Sequence, residues 1–490
     1  MSKSKYLEGL QCPKLLWYEY NRKEAFPEID PSTQFIFDQG KEVGRLAQKM
    51  FKGGILLERD PFPERHRDQS EEALKHDKPV FEAGFINQKT YAIADIFVPY
   101  KSDSWDLIEV KSSTGIKDEH LYDVAFQKYV YEGAGINLHR CFLMYIDKEF
   151  VKDGEIDPEE FFVKEDVTAQ AEELRPTIER GIEEMFETIR QKEAPRVDIS
   201  PHCNTPHDCP LEKICWEFLP KDNVFMLYRG NKLAYELYED GILSLRDISD
   251  HPDLSPKQLI QVNSHKTGAP YIDKKALKEF LQELSYPLYF LDFETIAPAI
   301  PVYEGTHPYE NISFQYSLHI IEKEGVEPKH YSYLAPDTSD PRPEILKQLK
   351  GLLGSEGSVI AYNAAYEKHI LKEAAEEYSE FKGWYAQIEP RVVDLLIPFR
   401  SFSYYHPKQE GSASLKSVLP AFTKSNYKGL EIAEGQMASR EYFRVTFGQS
   451  IPKEEKQRVY QALEKYCNLD TAGMIDILEA LQKLCGARGE

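Results

Sequence analysis

The stretch Leu288-Tyr289-Phe290-Leu291-Asp292-Phe293-Glu294 runs four apolar residues directly into two acids spaced two apart. On a strand, that spacing puts Asp292 and Glu294 on one face. A short apolar run of this kind reads as a buried strand, so the carboxylates at its end sit beside a core rather than in open water. Outward from it, strand-like runs recur at 313–321 and 358–362, and helical patterns at 367–377 and 454–484 close the chain. Alternation of this kind predicts a central sheet flanked by helices.

Upstream, a second α/β pattern precedes it. A polar, helix-friendly stretch at 39–51 leads into strand-like runs at 80–86, 91–98 and 105–110, then helical segments at 122–131 and 168–191. At 490 residues the chain exceeds a typical single domain. The expected division is 1–220 as one module, 221–285 as a small helical connector and 286–490 as a second module. The Gly-punctuated phrase Leu237-Tyr238-Glu239-Asp240-Gly241-Ile242 gives the connector a helix–hairpin–helix alternative.

The hydrophobic fraction of 41% supplies substantial cores. No apolar run reaches membrane-spanning length, and Met1-Ser2-Lys3-Ser4 lacks the apolar stretch of a secretory signal, so the expectation is a cytoplasmic protein. A net charge of −22 excludes a histone-like binder of nucleic acid. It does not exclude a nuclease, whose buried carboxylates are neutralised by divalent cations.

Asp95 ends one strand signal, and the next strand carries Asp106-Leu107-Ile108-Glu109-Val110-Lys111. Period-two alternation puts Glu109 and Lys111 on the same face. With Asp95 on a neighbouring strand, two carboxylates can hold a divalent cation while Lys111 orients the attacking water or stabilises developing charge. The bland alternative is three charged residues on a solvated sheet edge. Phe126-Gln127-Lys128-Tyr129-Val130-Tyr131 adds Gln127 and Tyr131 on one helix face. Together these motifs resemble the RecB-like nucleases of the PD-(D/E)XK superfamily. The resemblance implies a restriction-endonuclease-like mixed sheet, a catalytic Asp95, Glu109 and Lys111, and a helix whose Gln127 and Tyr131 contact substrate. Glu42 stands where many relatives carry a metal-binding His, and Glu82 is a further acid in reach.

Of seven cysteines, Cys203, Cys209 and Cys215 are spaced C-x5-C-x5-C, with Cys12 far upstream. Four thiolates suit zinc or an iron–sulfur cluster, and wide intervals suit zinc less well. His202 and His207 are substitute ligands in the zinc alternative. One Cys near the N-terminus with three after the nuclease core resembles the iron–sulfur clasp of AddB-type and CRISPR-associated RecB-like nucleases. The phrase Gln11-Cys12-Pro13-Lys14-Leu15-Leu16-Trp17-Tyr18 is similar to that family's start. The implied cofactor is a 4Fe-4S cluster. Cys141, Cys467 and Cys485 read as small core residues.

In the second half, Val359-Ile360-Ala361-Tyr362-Asn363-Ala364-Ala365-Tyr366-Glu367 passes from strand to helix, and Tyr466-Cys467-Asn468-Leu469-Asp470 places Tyr466 and Asp470 on one helix face. Separated acids beside buried elements suit two-metal phosphodiester hydrolysis, with cations roughly 4 Å apart and a tyrosine positioning water. The set resembles DnaQ-like DEDD exonucleases of the RNase H-like fold. Asp292, Glu294 and Asp470 match its acids, Glu367 stands for the usual Asp, and Tyr466 gives the tyrosine variant. Asp394 reads as structural rather than ligating, and Val392–Leu395 and Ser414–Lys416 look like the family's helical region. Ile300-Pro301-Val302-Tyr303-Glu304-Gly305 and Phe314-Gln315-Tyr316-Ser317-Leu318-His319 resemble a bacterial domain-of-unknown-function family, over nearly the whole chain.

The expectation is therefore an α/β protein with two nuclease modules, both requiring Mg²⁺ or Mn²⁺ and acting on DNA, chiefly single-stranded ends. The C-terminal half resembles 3′–5′ exonucleases, and RNA stays open for it. Repair, CRISPR adaptation and phage defence are the implied settings. Two alternatives stand beside this reading. In one, a nuclease half is a degenerate clamp gripping nucleic acid or a helicase; in the other, the protein is a zinc-stapled ribonuclease in RNA processing.

Overall fold

The computed structural model describes residues 1–101, 103–249 and 251–486, and its architecture is mixed α/β. The chain divides into two compact units. One comprises Met1–Phe218 with Pro298–Tyr309; the other comprises Leu219–Ala297 with the described residues from Glu310 onward.

The first unit is built on a six-stranded sheet in the order β1 (Ile55–Leu56), β2 (Val80–Asn87), β3 (Thr90–Pro99), β4 (Trp105–Lys111), β5 (Leu138–Ile146) and β6 (Phe162–Asp166). β2, β3 and β4 are antiparallel neighbours, whereas β5 runs parallel to β4. A parallel pair needs a crossover, and the helix Asp118–Gly133 supplies it. Both faces of the sheet are covered. Leu107, Val124 and Phe126 pack on one side, and Ile96, Ile108, Met144 and Val43 on the other. Glu109 shares the face of Leu107, so a charged residue is carried inside.

The strands at 80–86, 91–98 and 105–110 form within a residue or two of expectation. The helix expected over 39–51 begins earlier, at Pro31–Gln48, because the Asp30 side chain accepts from the amides of Ser32 and Thr33. The segment expected as one helix over 168–191 is two, Thr168–Glu173 and Arg175–Ile189. Pro176 explains the break, since a proline lacks the amide hydrogen a helix interior needs but fits a first turn.

The second unit contains β7 (Tyr271–Ile272), β8 (Leu288–Ile296), β9 (Ile312–Ile321), β10 (Lys329–Leu334), β11 (Ser358–Ala361), β12 (Val392–Asp394) and β13 (Tyr404–Tyr405). Five of them form a sheet in the order β10-β9-β8-β11-β12, and β13 pairs with β7. β8 is antiparallel to β9 and parallel to β11. Along β8, Tyr289, Leu291 and Phe293 face one core with Ile345 and Leu371. Leu288 and Phe290 face the other, with Met474 and Leu478 of the long helix Lys453–Leu484. Asp292 and Glu294 continue the second set, toward that helix. Val392–Asp394 is a strand, not part of a helical region: it pairs in parallel with β11, Val359 to Val392 through Ala361 to Asp394.

The residues expected as a connector group with the second unit. They carry the helices Asn231–Glu239, Pro256–Thr267 and Lys274–Gln282 and a small core of Val224, Leu237, Leu245 and Val262. Gly241, at φ +80°, turns the chain after the first of these helices. No described helix is long and apolar enough to cross a membrane.

The segment Pro298–Tyr309 leaves after β8 and returns before β9, yet folds with the first unit. There Ala299 joins the core of Ile108 and Phe150, Gly305 N–H donates to the Lys152 carbonyl at 2.9 Å, and the Tyr309 hydroxyl donates to the carbonyl of Ser112.

Candidate active sites

In the first unit the β2–β3 pairing steps from Phe81–Ile96 to Ala83–Ala94, leaving Glu82 and Asp95 opposite each other without a ladder pair. Asp95 also lies one step beyond the Ile96–Ile108 pair, level with Glu109 on β4. Three acids from three adjacent strands therefore line up across the sheet. Asp95 Oδ2 accepts from Val110 N–H at 2.8 Å. Burial, reinforced by the negative charge of Glu109, pushes Asp95 up to about 7.

Glu109 is buried but not isolated. Its Oε1 accepts from Lys111 Nζ at 2.9 Å and from Lys3 Nζ at 2.5 Å, and its Oε2 accepts from Gln127 Nε2 at 2.7 Å. Burial alone would raise its carboxyl; Lys111 and Lys3 overcome that and hold it well below the usual range. Lys111 also donates to Asp123, and these two carboxylates outweigh burial to raise the ammonium. Gln127 thus lies against Glu109. Tyr131 does not contact a carboxylate: its hydroxyl donates to the Ala83 carbonyl at 2.5 Å, and its ring packs on Phe85 and Phe97. Glu42 is exposed and pairs with Arg45 on its own helix, and Glu82 accepts from Arg59 Nε at 2.8 Å. Lys3 and Asp123 are the members that the sequence reading missed. Asp123 precedes Gln127 and Tyr131 at the same four-residue interval, a signal that was there to be used.

The four cysteines meet. Cys12, Cys203, Cys209 and Cys215 line one cavity together with His202 and Trp216. Gln11 Nε2 fastens this corner, donating to the carbonyls of His202 at 2.9 Å and His207 at 2.6 Å. His207 itself is exposed and turned toward Glu119 at 3.2 Å. Burial pushes the Cys209 thiol up to about 11, and the other three thiols add to it. Among the described residues, no three of these sulfurs lie within 4.8 Å of one another. Zn–S bonds of about 2.3 Å would bring tetrahedral sulfurs to about 3.8 Å apart. Three of the four sulfurs would have to draw closer together to share one zinc ion.

In the second unit, Asp292, Glu294, Glu367 and Asp470 come together from β8, the first turn of the helix Ala364–Glu377 and the helix Lys453–Leu484. Burial, then repulsion from Asp470, Glu294 and Glu367, drives Asp292 well above the carboxylate range. Glu294 is raised in the same way, with Lys416 partly opposing. Burial pushes Asp470 up to about 7, against a hydrogen bond from Tyr427 and the charge of Lys416. Glu367 is pushed up to about 8 by burial, with Asp394 adding to it, and its Oε2 is buried without a hydrogen-bond partner. Tyr466 is buried beside Asp470, and Lys416 Nζ stands 5.5 Å from its ring centre. Asp394 serves the backbone, accepting from the amides of Asn363 at 2.9 Å and Leu396 at 3.0 Å. Tyr427 was missed because it lies in an irregular stretch with no pattern to mark it.

Part of the chain is similar to one sequence family. Residues 289–414 match the family described as Domain of unknown function (DUF2779), a span that takes in Asp292, Glu294 and Glu367 but stops short of Tyr466 and Asp470. The expected likeness to such a family is thus found over this span rather than over nearly the whole chain. The chain is also 27% identical over 303 residues to Uncharacterized protein UU173 of Ureaplasma parvum, covering 54% of this chain and 43% of that protein. It is 26% identical over 214 residues to Uncharacterized protein MG366 of Mycoplasma genitalium, covering 40% of this chain and 32% of that protein. The chain therefore spans less than half the length of either relative.

Proposed function

We propose that this protein is a divalent-metal-dependent nuclease, with an exonuclease-type site in the second unit and a RecB-like site in the first. The observation that carries the proposal is the buried quartet Asp292, Glu294, Glu367 and Asp470. Lys416 is the cation whose charge acts on Glu294 and Asp470, so the ionised quartet holds surplus negative charge that protons or bound cations must neutralise. Mg²⁺ or Mn²⁺ at these carboxylates would supply Lewis acidity toward a phosphodiester. Asp292, Glu294, Glu367 and Asp470 would hold the ions, and the open oxygen of Glu367 fits that role. Tyr427 fixes the Asp470 carboxylate, and Tyr466 offers a hydroxyl to orient water.

In the first unit, Asp95 and Glu109 are the ligands and Lys111 is the cation facing developing charge. A cleft lined by Lys3, Lys111, Lys117 and Tyr122, and by the carboxylates of Glu8, Asp118, Glu119 and Asp123, opens beside them. Its three lysines and the Tyr122 ring are the groups that would meet a single strand. The four cysteines are read as holding a 4Fe-4S cluster that clasps the unit's two ends. One observation favours a second reading of this unit, as a nucleic-acid clamp: both oxygens of Glu109 already have donors, two of them ammoniums.

The test is cleavage of single-stranded DNA labelled at either end, with Mg²⁺ or Mn²⁺ under anaerobic conditions. Wild type runs beside Lys111→Ala, Asp470→Ala and the double variant, with an RNA substrate in parallel. Each single change should remove a different product ladder, and the double should be inert. If Lys111→Ala leaves every ladder intact, the first unit is a clamp. If Asp470→Ala changes nothing on either substrate, the proposal fails.

A further inference from the structure

Cys467 lies at the second unit's site, and the nuclease reading gives it no part. It is fully buried on the helix Lys453–Leu484, one residue after Tyr466 and three before Asp470, and its Sγ is 3.7 Å from Asp292 Oδ2. Among the described residues, the one group of three metal-ligand atoms lying within 4.8 Å of one another is Asp292, Glu294 and Cys467. A second observation points to the same place. Glu367 Oε2 is buried with no hydrogen-bond partner, and the Glu367 charge acts on both Asp292 and Glu294.

We infer that Asp292, Glu294 and Cys467 form a mixed carboxylate–thiolate position that takes a borderline-soft divalent ion of the Zn²⁺ or Co²⁺ class, within reach of the Glu367 charge. The inference rests on the metal-dependent reading of this site and refines it. Mg²⁺ prefers an all-oxygen, near-octahedral shell that keeps several waters. A thiolate beside two carboxylates instead favours ions that accept sulfur and a low coordination number. On binding, the Cys467 S–H bond breaks as the sulfur–metal bond forms, and one proton leaves to water. The site would then discriminate among metals through one sulfur, which an all-carboxylate site of the same charge could not do.

The test uses Co²⁺ with the full chain, read by sulfur-to-cobalt charge-transfer absorption. The four cysteines of the first unit contribute their own absorption, so the signal is the difference between wild type and Cys467→Ser. Cys467→Ala runs beside it, with circular dichroism confirming that each variant is folded. The expected result is a difference band, one fewer proton released per chain, and Co²⁺ affinity at that position lowered about tenfold or more, with Mg²⁺ affinity unchanged. Variants that match wild type in spectrum and proton release overturn the inference. Asp292→Asn separates the two levels by Mn²⁺ calorimetry. If it loses Mn²⁺ binding while both Cys467 variants match wild type, only the thiolate ligand is wrong. If Asp292→Asn binds Mn²⁺ like wild type, the metal reading of the site falls as well.

Discussion

Lys3 Nζ lies 2.5 Å from Glu109 Oε1, so the carboxylate proposed above as a metal ligand already carries an ammonium from the N-terminal helix. The Lys3 ammonium repels a divalent ion arriving at that carboxylate. Lys3→Met is therefore expected to lower the Mg²⁺ concentration at which the first unit cleaves, by roughly tenfold for one contact charge in a partly buried site. Lys111→Met should instead lose roughly 10²–10⁴-fold in rate at any Mg²⁺ concentration. The measurement is cleavage against Mg²⁺ in the Asp470→Ala background. Equal effects from the two lysines would remove the distinction drawn here.

Neutralising one member of the buried quartet should separate stability from activity. Asp470→Asn is expected to abolish the second unit's cleavage yet stabilise the metal-free protein by roughly 1–3 kcal/mol at pH 8, because it removes repulsion that Asp292 and Glu294 feel. Thermal melts in a chelator measure this. With saturating Mn²⁺ the order should invert, since wild type gains binding free energy that the variant lacks. A variant less stable than wild type in chelator would count against the quartet as a site of stored repulsion.

The pH dependence follows with a definite sign. Asp470 and Glu367 rise from 3.8 and 4.5 to about 7 and about 8 on folding. The folded state therefore binds more protons than the unfolded one across that interval, and metal-free stability falls as pH climbs from about 4 to about 8. The slope is at most about 1.4 kcal/mol per pH unit for each group. Glu109 is shifted the other way, so its contribution is in place above 4.5 and is lost only in stronger acid. Denaturant melts from pH 5 to 8 should show the decline in chelator and a flat or rising profile with divalent ions.

The cysteine corner is held by one side chain that binds no metal. Gln11→Ala removes two hydrogen bonds to the His202 and His207 carbonyls and should weaken the first unit by about 1–2 kcal/mol. Cys12→Ser should do more, emptying the site of iron or zinc as read by elemental analysis. Metal content unchanged in Cys12→Ser would show that the four thiols do not act together.

The strands that carry the acids were legible because their signals are local. Leu288–Leu291 ahead of Asp292, and the alternation through Glu109 and Lys111, are written within a few residues. Lys3 was not legible, since it reaches Glu109 from 106 positions away and nothing in its own surroundings marks it. Cys467 was read as a small core residue, and full burial agrees with that; only the fold brings it to Asp292. β12 was misread because three residues are too few for a period, and its strand character comes from pairing with β11. Tyr131 illustrates the opposite error. Its spacing from Gln127 suggested a shared task, yet four residues along a helix fix a face and not the atom that the side chain reaches.

The return of Pro298–Tyr309 to the first unit has a bearing on how the protein is made. A ribosome releases the chain from the N-terminus, and domains generally fold as they emerge. Here the core that contains Ile108 and Phe150 lacks Ala299 until that residue emerges. By then β8 has been synthesised and β9, its antiparallel partner, has not. The first unit is therefore still unfinished after synthesis of the second has begun, and the two are completed in succession.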